Sequence, residues 1–189
     1  MKVTNFAKKF SQLEIMADMA PIIDIPNATY RFSGGGLCAD NCVDAGVRLH
    51  QAFAAYSTGS WYNPKYTGAC RAIVGALADL GVSEFRTEVP LHGTHLHGVA
   101  DIVARTSENG LVIADLKTTL GDYALPQKPA ELLQLASYAV LAGDEPSRLI
   151  CVRVALRQRS INVFEVDQRI ALKLMELIRV EGNSVQVAA

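Results

Sequence analysis

The chain has 189 residues, half of them hydrophobic, which suits one domain with a real core and leaves no room for a motor or a second catalytic module. Its mean hydropathy of +0.17 comes from apolar stretches that charge or glycine interrupts well before the ~18 residues a membrane span needs, so a soluble protein without a membrane partner is expected. A net charge of −1 and a pI of about 6.4 exclude the global basic field of non-specific nucleic-acid binders, although divalent cations bound by carboxylates would still allow a locally basic groove.

Lys8 and Lys9 lead into Ser11, Gln12, Glu14 and Asp18. No apolar export core follows, and a cytoplasmic location is expected. Cys38, Cys42, Cys70 and Cys151 form no CxxC pair, which fits neither a dense disulfide framework nor a zinc ribbon; reduced, mostly buried thiols are expected.

Residues 1–40 read as an N-terminal arm of unassigned role, with a helix marked by Phe6, Phe10, Leu13, Ile15 and Met16, then an irregular stretch carrying Pro21, Pro26 and Gly34 to Gly36. Residues 41–189 read as the functional domain. Val47, Leu49, Phe53 and Ala54 predict a helix over about Asp44 to Tyr56, and a second helix is predicted over Thr67 to Leu80, with Thr67 as N-cap and Gly81 as stop. Gly59 to Pro64 is a loop containing the only tryptophan.

Short β-rich segments follow at Glu84 to Leu91, Gly98 to Ala104 and Leu111 to Thr118, the last two joined by a turn that includes Asn109-Gly110. A helix is predicted over about Ala130 to Ala142, then strands over Arg148 to Leu156 and Ile161 to Val166. Asp167 is placed to cap a final amphipathic helix with Ile170, Leu174, Leu177 and Ile178 on its apolar face. This order predicts an α/β (α+β) fold, a mixed sheet flanked by helices.

Two acids and one lysine stand inside predicted strands, where charge is costly unless it is exposed or paired. They are Asp101, Asp115 and Lys117. Period-two alternation puts Asp115 and Lys117 on one face, and a hairpin between the two strands brings Asp101 toward Asp115. Adjacent carboxylates repel unless one takes a proton or a hard divalent cation binds between them, and Mg²⁺ or Mn²⁺ is the natural occupant. Such an ion beside a lysine suits phosphodiester hydrolysis.

Gly98-Val99-Ala100-Asp101, then Asp115-Leu116-Lys117-Thr118, then Gln134-Leu135-Ala136-Ser137-Tyr138 resembles the GxxD, (D/E)xK and QxxxY series of the RecB-type branch of the PD-(D/E)XK nucleases, over roughly His50 to Val166. The resemblance implies a restriction-endonuclease-like core, with Asp101, Asp115 and the Leu116 carbonyl as metal ligands, Lys117 as the catalytic lysine and His50 completing the metal shell. It also implies that Gln134 and Tyr138 position DNA or the lysine. Thr118 is placed to donate a hydrogen bond to a phosphate.

Each site residue has a plainer alternative. For Asp115 and Lys117 it is a surface ion pair, for His50 a hydrogen-bonded core or surface histidine, and for Gln134 and Tyr138 the polar edge of an amphipathic helix; the functional reading is preferred in each case. Glu88 is open between a second metal and a structural contact. His92, His95 and His97 lack the spacing of a helix-borne zinc motif and suit a solvated hairpin tip.

Some relatives hold an iron–sulfur cluster with three late cysteines. Only Cys151 is late here, so no such cluster is expected. The expected activity is a metal-dependent deoxyribonuclease, an exonuclease in recombination, repair or phage DNA processing ahead of a structure-specific endonuclease. A non-cleaving nucleic-acid-binding subunit and a hydrolase of RNA or nucleotides are the alternatives. DNA is the expected partner; a helicase or recombination protein and a second copy of the chain are further ones.

Overall fold

The computed structural model describes residues 1–11, 28–33, 42–108, 110–119, 129–143 and 148–184. Its elements are α1 (Val3–Phe10), β1 (Ala28–Arg31), α2 (Cys42–Ser57), α3 (Thr67–Asp79), β2 (Val82–His92), β3 (His97–Thr106), β4 (Leu111–Thr119), α4 (Pro129–Ala142), β5 (Arg148–Ala155), β6 (Ser160–Glu165) and α5 (Gln168–Ser184). The strands form one sheet in the order β1-β6-β5-β4-β3-β2. Among the described strands only β4 and β5 pair in parallel, and α4 lies between them in sequence. The expected mixed sheet flanked by helices is present.

Strand β4 is central and buried on both faces over Leu111 to Leu116, which its nearly unbroken apolar run requires. One side of the sheet packs against α1, α4 and α5, with Ile113, Cys151, Leu133 and Leu174 at the centre. The other side packs against α2 and α3, with Leu116, Val152, Leu49 and Ile73. Alternating side chains along β4 therefore feed two cores.

The helices obey their apolar spacing. In α2, Ala45, Leu49, Ala52 and Phe53 are buried, a stripe at intervals of three and four residues. Gly81 ends α3 at φ +76°, as a stop residue in the left-handed region should. Thr67 is not the cap expected of it. A short 3₁₀ turn, Pro64–Tyr66, precedes α3, and Asn63 caps that turn by accepting from the Lys65 backbone N–H at 3.1 Å. At the last helix, Asp167 accepts from the Arg169 N–H at 2.9 Å, the cap that was expected.

Two features of the N-terminal region differ from the expectation. Ala28–Arg31, read as irregular, is an edge strand paired with β6. Helix α1 is a core element: Val3, Phe6, Ala7 and Phe10 are buried, and Met1 continues the packing by accepting from the His97 N–H at 3.1 Å. Leu13, Ile15, Met16, Pro21, Pro26, Gly34 to Gly36, Cys38 and Asn109 lie outside the described residues, as does the side chain of Cys42. The β3–β4 turn nevertheless closes, with the Thr106 N–H donating to the Gly110 carbonyl at 3.0 Å. Cys70 and Cys151 are free and buried thiols. Among the described residues no helix is long and apolar enough to cross a membrane.

Gly98 shows why the first motif starts with glycine. A β-carbon there would lie 2.8 Å from the Tyr138 ring and 3.3 Å from Val3, so α1, β3 and α4 meet at a point that only a hydrogen fits. Gly98→Ala is expected to lower stability by about 1–3 kcal/mol through overpacking, measured as a reduced urea midpoint at unchanged m-value.

Candidate active site

The site forms where β3 leaves β4. Their ladder stops at Ile102↔Ala114, and beyond it the Leu116 peptide turns both of its polar groups to side chains. Its N–H donates to Asp101 Oδ2 at 2.8 Å, and its carbonyl lies 2.8 Å from His50 Nε2. Both backbone groups are thus satisfied without a strand partner.

His50 reaches this point from α2, whose buried stripe fixes its orientation. Its Nδ1 is 3.3 Å from Asp101 Oδ1 and 3.8 Å from Glu88 Oε1. His50, Glu88 and Asp101 each present one ligand atom, all within 4.8 Å of one another. Such a set of one imidazole and two carboxylates fits a divalent cation.

Glu88 completes the triad through an unusual backbone. Its φ is +51°, a left-handed conformation that costs a non-glycine residue on the order of 1–3 kcal/mol. Ladder pairs on both sides, Thr87↔Ile102 and Val89↔Ala100, hold it there. Sequence offered one signal for this residue, a carboxylate inside a strand, and none for its conformation.

Asp115 stands outside the triad. It is fully buried and faces Lys117, whose Nζ lies 3.0 Å from Oδ1 and 2.7 Å from Oδ2. Lys117 also donates to Gln134 Oε1 at 3.2 Å, and Gln134 Nε2 donates to the Tyr138 hydroxyl at 3.1 Å. The four-residue spacing on α4 puts both side chains on one face. The chain Asp115–Lys117–Gln134–Tyr138 fixes the ammonium beside the triad.

One cavity of about 840 Å³ is lined by His50, Glu88, Asp101, Leu116, Lys117, Thr118 and Gln134, together with Gly46 and Gln51 of α2. Thr118 faces Gly46, where a β-carbon would lie 3.8 Å from its Oγ1. His92 and His97 are exposed and His95 is half-buried at the β2–β3 turn, away from this cavity, as a hairpin tip requires.

The electrostatics share one sign. Burial lifts the Asp115 carboxyl to about 6, with Lys117 pulling it down and Asp101 pushing it up. Burial would lower His50, but the hydrogen bond and charge of Asp101, with the Leu116 carbonyl, raise it above its ordinary value. Burial and the Asp101 charge raise Glu88, against the pull of His50. Burial works against the Lys117 ammonium as well, and the Asp115 carboxylate overrides it and holds the lysine charged. Clustered shifts of this kind mark functional sites.

The geometry can therefore hold a hard cation next to a fixed ammonium in an open cavity large enough for a nucleotide. A solved structure, "Crystal structure of SSO0001", is similar at 22% identity and a TM-score of 0.35, over 55% of this chain and 52% of that one. The chain thus spans about half the length of that structure. No curated protein matches. The family model of the PD-(D/E)XK nuclease superfamily matches residues 36–181, a span containing every residue of the cavity, and the chain belongs to that superfamily of nucleases.

Proposed function

We propose that the protein is a Mg²⁺- or Mn²⁺-dependent deoxyribonuclease that degrades DNA from an end, in recombination, repair or phage DNA processing. The observation that carries this reading is the meeting of the His50–Glu88–Asp101 triad with the Lys117 ammonium in one cavity. The triad would hold the cation, with Asp115 and the Leu116 carbonyl as adjacent oxygen donors. A divalent cation, when bound, supplies Lewis acidity for the phosphodiester and for the attacking water.

The residues of the chain do the remaining work. Lys117 donates from Nζ to the water or to the phosphate oxygen that gains charge, with Asp115 and Gln134 limiting where Nζ can go. Tyr138 holds Gln134 in turn. Thr118 Oγ1 donates to a non-bridging phosphate oxygen. The imidazole in the triad favours Mn²⁺ over Mg²⁺, since nitrogen ligands suit transition ions better than the magnesium ion.

The test is cleavage of linear, end-blocked and circular DNA in Mg²⁺ and in Mn²⁺. Linear DNA is expected to be degraded, faster in Mn²⁺, with circles and blocked ends spared. Cutting of circles would replace the exonuclease with an endonuclease. Tight DNA binding without product in either ion would show a non-cleaving subunit.

A further inference from the structure

Beside the active cavity lies a second, shallower one of about 210 Å³, formed by α2 and the loop that follows it. It is lined by Arg48, Gln51, Trp61, Tyr62, Asn63 and Tyr66, with alanines of α2 beside them, and among the described residues no carboxylate lines it. Gln51 lines both cavities. The two therefore open on adjacent sides of one helix, and with a helix about 10–12 Å across a strand leaving one cavity reaches the other within a nucleotide or two.

Trp61 is the only tryptophan in the chain and is 87% exposed. The loop on either side of it is not loose. Ser60 N–H donates to the Ala55 carbonyl at 2.8 Å, and Thr58 Oγ1 and Ser60 Oγ are 3.0 Å apart. Tyr62 packs edge-on against Tyr56 at 5.5 Å and bonds through its hydroxyl to Thr67 Oγ1 at 3.1 Å. Asn63 caps the next turn. A large apolar ring thus stands exposed on a braced loop, and Arg48 lines the same cavity.

We propose that Trp61 is a stacking platform for an unpaired base of the nucleic-acid substrate, with Arg48 contacting the adjoining phosphate. This rests on the nuclease reading above. An indole face accepts any base, a guanidinium suits phosphate, and none of the described residues lining this cavity is a carboxylate that would repel the backbone. The platform would grip the strand beside the scissile bond and favour single-stranded or frayed ends over intact duplex.

The lone tryptophan reports on itself. A short fluorescein-labelled oligo(dT) with phosphorothioate linkages is titrated into the full chain in Mn²⁺, reading Trp61 emission and fluorescein anisotropy together. Both are expected to change along one binding curve. Trp61→Ala is expected to raise the KM for single-stranded DNA roughly ten-fold at little cost in kcat, to leave turnover of a chromogenic phosphodiester unchanged, and to be largely rescued by Trp61→Phe.

Rising anisotropy without a change in Trp61 emission would overturn the platform and leave the nuclease reading intact. A change in Trp61 emission with protein concentration alone would make this surface a contact between copies, and would equally overturn it. Failure to bind the oligonucleotide and to cleave either substrate would remove the nuclease reading and the platform with it.

Discussion

Lys117→Ala is expected to lower phosphodiester cleavage by about a hundred- to a thousand-fold, the scale on which a preorganised donor at the reacting centre acts. The loss should fall on kcat and persist in saturating Mn²⁺, because Lys117 is not a member of the cation triad. Stability will change too. Asp115 is fully buried and Lys117 is its cationic partner at 2.7 Å, so truncating the lysine strands a buried carboxylate at a cost of about 3–5 kcal/mol.

That cost depends on pH in a way that separates it from the catalytic loss. Asp115 already titrates near 6 with the lysine beside it; without the ammonium its proton affinity rises further, and a neutral Asp115 needs no cation. Lys117→Ala should therefore unfold far more readily than wild type at pH 8 and much less so at pH 5. Asp115→Asn with Lys117→Met should restore stability across that range and remain inactive. Cleavage by the folded double variant at a rate near wild type would remove Lys117 from the chemistry.

The residues that were legible in the sequence are those whose role follows from local periodicity. Strands β3 and β4 begin and end within two residues of their expected limits because alternation, glycine and turn residues mark them. The same alternation placed Asp115 and Lys117 on one face, and the α4 period placed Gln134 with Tyr138. Ala28–Arg31 was not legible: four residues between prolines and glycines carry too little pattern, and only pairing with β6 makes them a strand. The burial of α1 was hidden for a related reason, since Val3, Phe6 and Phe10 show an apolar face but not what covers it.

Glu88 marks the other limit. Period-two reasoning assigns its side chain to one face of β2, whereas φ +51° re-aims it toward His50 and Asp101. Asp101 stands with His50 and Glu88, and Asp115 is paired with Lys117. In the proposed function both acids serve the cation, and Asp115 fixes the ammonium as well. Sequence spacing could not show this arrangement, because the β3–β4 ladder stops at Ile102↔Ala114 and does not pair Asp101 with Asp115.

Asp101→Asn should isolate the cation-binding half of the mechanism. The amide oxygen can still accept from the Leu116 N–H that Asp101 Oδ2 now receives at 2.8 Å, so the fold is retained while one anionic ligand is lost. In chelated wild type, His50, Glu88 and Asp115 all bind protons more tightly in the folded chain than in the unfolded one. Stability supplied this way is fully present at low pH. It declines from about pH 4 through about 6 for Asp115 and through the raised value of Glu88, and again as pH rises from the ordinary histidine value of about 6.5 through the raised value of His50.

Mn²⁺ acts in the opposite sense, since it requires these ligands deprotonated and releases their protons on binding. At a hundred-fold excess over its Kd the ion contributes about 2.7 kcal/mol, which is roughly 5–10 °C in Tm for a chain of this size. The shift should be near its full value at pH 8 and small at pH 5 in wild type. It should vanish in Asp101→Asn, where His50, deprived of its main anionic partner, loses its raised proton affinity to burial. An undiminished Mn²⁺ shift in that variant at pH 8, by differential scanning fluorimetry, would show that the ion binds without Asp101 and that the triad is not its site.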